Sequence, residues 1–191
     1  KDAPKQAKSV ELKIVKNKFK NEFSNCQPGD YIRFGTYEQD GNASNGKEAI
    51  EWLVLEVKDG KVFVISKYGL VYQRYNKEQE DITWETCTLR KWLNKEFINV
   101  AFTETEKQLI PTVMVSADRN LDYDTKPGNS TRDKVFLLST NEAAEYLWFD
   151  EMRQCQPTRY AVANTASESD SDNCAWWLRS PGYSQDDAAY V

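Results

Sequence analysis

Between Tyr31 and Tyr37 the residues Ile32, Phe34 and Thr36 alternate with Tyr31, Arg33, Gly35 and Tyr37, just after Gly29-Asp30. This period of two predicts a strand. The Asn- and Gly-rich segment 40–47 reads as a loop. Two β-rich runs, Ile50–Val57 and Lys61–Ser66, flank Lys58-Asp59-Gly60. Asp-Gly at that place predicts a hairpin, because a type I′ turn needs positive φ at both central positions. The period then lengthens. Leu89, Trp92, Leu93 and Phe97 share one helical face, with Thr86 or Thr88 as the cap. Thr103 with Glu106, and Ser139 with Glu142, have the spacing of capping boxes. The first of these helices is ended by Pro111. The second is expected to turn Ala143, Ala144, Leu147 and Trp148 toward the core, after a short apolar strand at Val135–Leu138. Past Pro157 the chain becomes loop-rich, before Trp176-Trp177-Leu178 and a final strand-like run, Ala188–Val191. The stretch from Val10 to Phe19 fits strand and helix equally. With no internal repeat and no βαβ alternation, the class is α+β with antiparallel strands.

Composition supports a packed domain. Hydrophobic residues make up 40%, with 6 Trp and 10 Tyr, a load that disordered chains lack. No apolar run reaches the roughly 18 residues of a membrane span. Charge is uneven. The first twenty residues hold seven Lys against Asp2 and Glu11, a net of +5. The remainder holds 18 basic and 28 acidic groups, a net of −10. The division expected is a basic arm or linker over 1–25 and one domain over 26–191. The start at Lys1, without Met, suggests a processed or excised fragment. A net charge of −5 argues against generic nucleic-acid binding.

The count that most restricts chemistry is zero histidines. It removes the Ser-His-Asp triad, the Cys-His pair and every His-containing zinc or non-haem iron site. The four cysteines, Cys26, Cys87, Cys155 and Cys174, include no Cys-x-x-Cys pair, so a zinc knuckle is not expected. Either buried free thiols or two disulfides fit an even count. Cys87 reads as a packed thiol, while Cys155 and Cys174 are the pair expected to bridge in an exported protein. Asp186 and Asp187 are adjacent acids in a polar loop, the usual setting of solvated carboxylates. Asp170 and Asp172 could offer calcium two oxygens, but the segment lacks the glycine and final Glu of a helix-loop-helix site.

Several ordered blocks resemble a bacterial family known only as a domain of unknown function. They are Gly29–Gly35, Tyr37–Asp40, Ile50–Leu55, Trp84–Asn94, Phe136–Ser139, and above all Trp176-Trp177-Leu178-Arg179-Ser180-Pro181-Gly182 with Ala188-Ala189-Tyr190-Val191. The resemblance runs from about Cys26 to the end. It implies exported, often multidomain, bacterial proteins and a fold similar to the C-type lectin-like group: antiparallel sheets, two or three short helices and a long loop region. It also implies further Gly- and Tyr-rich strands after Val191. Formylglycine-generating enzymes of that group use a cysteine pair for copper, and related sulfoxide synthases a histidine-rich iron site. Without histidine or a close cysteine pair in sequence, neither chemistry is expected here. Gln156-Pro157-Thr158 likewise lacks the third residue of a lectin calcium loop.

The expectation is therefore a non-catalytic module without cofactor, extracellular or at the cell surface, binding a glycan or a protein. A structural spacer or a hydrolase-like enzyme is the alternative. Trp176, Tyr183, Gln185, Asp186, Asp187 and Tyr190 are the expected ligand contacts. A Tyr-, Ser-, Gln- and Asp-bearing loop suits adaptable recognition. Trp52, Trp92, Trp177 and Arg179 are expected to be structural. Arg179 in an apolar block needs a fixed carboxylate or several carbonyls.

Overall fold

Asp59 and Gly60 both take positive φ, 50° and 69°, and the chain reverses on these two residues. Lys58 then pairs with Lys61, as the Asp-Gly signal predicts. The computed structural model describes residues 23–165 and 172–191. The 10–19 stretch, nearly all of the basic arm, and Asp170 lie outside the described residues.

Strands β1 (Tyr31–Tyr37), β2 (Glu48–Lys58) and β3 (Lys61–Ser66) form an antiparallel sheet in that order. A bulge interrupts the β1–β2 register between Arg33 and Thr36. Gly35 sits in it with φ 70°, and a Cβ there would lie 2.5 Å from the Phe102 ring and 2.8 Å from the Ala101 carbonyl oxygen. The missing side chain is what lets the helical layer approach β1.

That layer begins at α1 (Thr88–Trp92), passes through a π-turn over Leu93–Phe97 and ends in α2 (Ile98–Ala101). Its cap is neither Thr86 nor Thr88. The Cys87 sulfur accepts from the Arg90 N–H at 3.4 Å, and Cys87 itself is fully buried. The extra residue of the π-turn keeps Leu89, Leu93 and Phe97 buried on one side, with Trp92 half-buried. Both predicted capping boxes form, Thr103 with Glu106 on α3 (Glu104–Lys107) and Ser139 with Glu142 on α4 (Thr140–Tyr146). In α4, Ala143 and Leu147 are buried. Ala144 and Trp148, expected inside, are exposed: Ala144 lies about 100° round the short helix from the buried Ala143, and the chain leaves helical geometry at Leu147 (φ −123°), before Trp148 is reached.

Two further pairs complete the sheets: β4 (Val113–Val115) with β5 (Thr131–Asp133), and β6 (Trp177–Pro181) with β7 (Ala188–Tyr190), both antiparallel. Helices α5 (Asp150–Arg153) and α6 (Arg159–Ala163) follow α4. The result is a mixed α+β fold of small antiparallel sheets. Among the described residues it holds six short α-helical segments, more than the two or three expected. No helix among the described residues is long and apolar enough to cross a membrane. Val135–Leu138 is not a strand. The Asn94 side chain holds it, donating to the Val135 carbonyl at 2.8 Å and accepting from Lys134 and Val135 N–H.

The core divides in two. One cluster joins Tyr37 and Ile50 of the sheet to Leu89, Leu93, Phe97 and Phe102 of the helical layer. The other gathers Leu55, Leu138, Ala143, Leu147 and Leu178. Between elements, the buried Asp133 carboxylate accepts from the Trp84 indole at 3.1 Å, the Thr131 hydroxyl and the Arg90 guanidinium at 2.8 Å. Replacing Gly35 by Ala is expected to cost about 2 kcal/mol or more, from the left-handed φ and the collision with Phe102. Urea unfolding of the variant measures it.

Candidate functional site

The Trp-Trp-Leu-Arg block is fixed in place through Arg179. Its side chain is buried, and Nη1 and Nη2 form a fork on the two carboxylate oxygens of Glu142. Nη2 also lies 3.2 Å from Asp118, Nη1 donates to the Leu137 carbonyl at 2.8 Å, and Nε donates to the Ser116 carbonyl at 3.1 Å. Glu142 at the same time accepts from the Ser139 N–H that starts α4. The backbone follows the same path. Arg179 N–H donates to the Leu138 carbonyl at 2.8 Å, and the Ser180 hydroxyl accepts from Thr140 N–H. One guanidinium thus joins β6, the loop at 116–118, the irregular segment at 135–138 and the first turn of α4.

Trp176 and Trp177 leave this frame on opposite faces, and neither points outward. Trp176 packs against the second core cluster and donates its indole N–H to the Arg153 carbonyl at 2.9 Å. Trp177 packs against the first and donates to the Gln73 carbonyl at 3.0 Å. A Trp176 free to serve as an exposed platform is therefore not what forms.

A cleft of about 310 Å³ opens beside the two indoles. Its walls are β3 with the connection Tyr68–Gln73, the α1 residues Leu89 and Trp92, the segment 135–138, and residues 152–155 and 174–177. Trp52, Trp92, Trp176 and Trp177 all line it, so three tryptophans expected to be structural share the cleft with one expected to bind. Trp52 is held by donation to the Phe34 carbonyl at 2.7 Å. At the rim Lys67 lies 2.9 Å from Glu51 and over the rings of Tyr31 and Tyr68. The paired lysine and the neighbouring carboxylate favour each other's charged forms, raising the Lys67 pKa and lowering that of Glu51. Cys155 and Cys174 also line the cleft.

The loop from Tyr183 to Asp187 does not line this cleft. Nor is it adaptable. Gln185 donates to the carbonyls of Ile82 and Lys126 at 3.2 and 3.0 Å and accepts from Lys126 N–H at 2.9 Å, while its own carbonyl takes Ile82 N–H. Both amide protons are spent on backbone, so Gln185 is a brace and not an outward contact. Asp186 accepts from Ser184 and from Gln79, which together lower its pKa, Ser184 the more. Asp187 accepts from the adjoining Ala188 N–H. Asp187 and the two rings stay outside: Tyr183 is 78% exposed in a T-shaped contact with Tyr123, and Tyr190 is 66% exposed against Trp177.

Sequence reasoning missed the cleft because its walls come from many separate segments with no shared motif. It also missed an exposed stacked pair, Trp148 and Phe149 with centroids 4.3 Å apart, just before the helix whose Met152 lines the cleft. Trp148 counted as core in the helical pattern, and that error hid the pair. Among the described residues one acidic group, Glu38, Asp40 and Glu48, brings an oxygen from each within 4.8 Å of the others. Gly41, Asn42, Asn45 and Gln39 donate to these carboxylates, so they are accounted for as fasteners of the loop at 38–48. Asp172 is exposed.

Two predictions follow from this geometry. Arg179→Ala takes the cation from Glu142 and Asp118 and a donor from each of the Leu137 and Ser116 carbonyls, and is expected to destabilise the domain by about 3–5 kcal/mol in denaturant unfolding. Gln185→Ala, stripped of three backbone bonds, is expected to lower Tm by several degrees. Tyr183→Ala is expected to leave Tm unchanged, and thermal melts of the two variants side by side check the contrast.

No curated protein matches this chain, and no solved structure matches it. A family model described as a domain of unknown function, DUF6273, matches residues 59–191. The Trp84–Asn94, Phe136–Ser139 and Trp176–Val191 blocks fall inside that span, and the blocks before Asp59 fall outside it. Since the match takes in most of the chain, the protein belongs to the DUF6273 family.

Proposed function

We propose that the domain is a non-catalytic ligand-binding module of an exported or cell-surface bacterial protein, and that its ligand enters the cleft between β3, α1 and Trp176-Trp177. The observation that carries this reading is the cleft's lining: four tryptophans and Tyr31, Tyr68 and Tyr72 around about 310 Å³, the size of a small-ligand or side-chain pocket. Its charged groups are already engaged. Lys67 is paired with Glu51, and Arg153 donates to the Leu147 carbonyl at 2.7 Å and lies 3.4 Å from Asp150. Such walls suit aromatic or aliphatic side chains of a protein or peptide. They suit a glycan less, because sugar hydroxyls need directional partners that are still unspent.

The non-catalytic reading rests on the absence of histidine from the sequence and on this engagement of the cleft's ions. The C-type lectin-like assignment rests on the resemblance of the ordered sequence blocks. Three small antiparallel sheets, short helices and long connections are consistent with it. Family membership alone assigns no activity.

Selection from a random peptide display library, run beside a glycan array, tests the proposal. Peptides rich in Trp, Phe or Leu should bind saturably and quench tryptophan fluorescence. Tyr72→Ala and Tyr31→Ala, both at exposed cleft positions, should weaken them by tenfold or more without lowering Tm. Saturable sugar binding lost in Tyr183→Ala would move the site to the 183–187 loop. No binder in either screen would favour the spacer.

A further inference from the structure

Cys155 and Cys174 stand 19 positions apart in sequence and meet at the cleft. The Cys174 N–H donates to the Cys155 carbonyl at 2.7 Å, and the Cys174 thiol lies 3.3 Å from the same oxygen. Gly69 marks how closely the sulfurs gather. A Cβ on it would fall 2.7 Å from Cys174 Sγ and 3.8 Å from Cys155 Sγ. Gly69 is in turn pinned by its own N–H to the Gln156 carbonyl and by Thr158 N–H to its carbonyl, both at 2.9 Å. Both cysteines are half-buried, so a small reagent reaches them from the cleft. A hydrogen bond from the Cys155 thiol favours the Cys174 thiolate and brings Cys174 down to about 7, while Cys155 is pushed up. The Tyr72 phenol lies beside them, its pKa raised by burial and then by the two sulfurs.

We propose that Cys155 and Cys174 form a reversible dithiol–disulfide pair that clamps one wall of the cleft when oxidised. The oxidant is a low-molecular-mass disulfide. The Cys174 thiolate attacks one sulfur of it, the external S–S bond breaks, and the first small thiolate leaves and takes up a proton. Cys155 then gives its proton to solvent and attacks Cys174 Sγ in the mixed disulfide, expelling the second small thiolate. The protein loses two electrons and two protons and gains one S–S bond, and the small disulfide becomes two thiols. Both sulfurs belong to one chain and gather around Gly69, so the second step is intramolecular and the mixed disulfide is short-lived. This inference is independent of the ligand proposed above, because it concerns the sulfurs alone.

The test equilibrates the whole chain with oxidised glutathione near pH 7.5, unfolds it in denaturant with a maleimide, and maps peptides by mass. The reduced protein should take four labels and the oxidised protein two, with one peptide pair joined through Cys155 and Cys174. Oxidation should raise Tm by about 5–10 °C, reversibly with dithiothreitol. Cys155→Ser should hold glutathione on Cys174 and show no such rise. If that variant does not fold, the wild-type peptide map alone decides. Four labels after oxidation, a linkage to Cys26 or Cys87, or a lasting glutathione adduct on wild-type Cys174 would overturn the proposal.

Discussion

A guanidinium surrounded by apolar packing is the constraint on which this domain is built. Moving Arg179 out of water is costly unless every donor finds a partner, and an unpaired buried charge is not tolerated. The fork on Glu142, the contact with Asp118 and the carbonyls of Leu137 and Ser116 meet that demand. Meeting it draws together parts that no sheet connects, since β4–β5 and β6–β7 are separate two-stranded pairs. In place of a continuous ladder the fold uses point fasteners. Asp133 does the same for Trp84 and Arg90, Asn94 for the segment 134–135, and Gln185 for Ile82 and Lys126.

The cleft is a consequence of this construction. Elements tied at single buried polar points leave gaps between them, and here the gap lies between β3, α1 and the tryptophan block. Its aromatic walls are held at their polar edges: Trp52 on Phe34, Trp176 on Arg153 and Trp177 on Gln73, each by an indole N–H on a backbone carbonyl. Indoles fixed in this way lose little rotamer freedom when a ligand arrives, which favours recognition by a preorganised surface.

Local structure was legible in the sequence wherever local chemistry decides it. The Asp59-Gly60 hairpin and both capping boxes depend on a few neighbouring residues, and all three formed as expected. The Arg179 environment was legible in kind, because burial of a cation dictates partners, but Glu142 and Asp118 could not be named from sequence spacing. What failed were inferences from surface-like composition. The 183–187 loop looked adaptable because it is polar, yet Gln185 is consumed by backbone groups more than fifty positions away in sequence. Val135–Leu138 looked like a strand because it is apolar, yet a side-chain amide holds it where a strand neighbour would. Trp148 followed the helical period approximately and emerged outside. Cys155 and Cys174, by contrast, were singled out as a pair from the sequence, and tertiary closure does bring them together.

The dependence of the fold on one ion pair is open to a direct measurement. A double-mutant cycle with Arg179→Met, Glu142→Gln and the combined variant, each unfolded in urea, isolates the coupling from the loss of packing. The structure predicts a coupling of about 2 kcal/mol or more, with the double variant more stable than the sum of the single losses allows. Additive losses, with a coupling below about 0.5 kcal/mol, would contradict the placement of Arg179 and Glu142 at the centre of the frame.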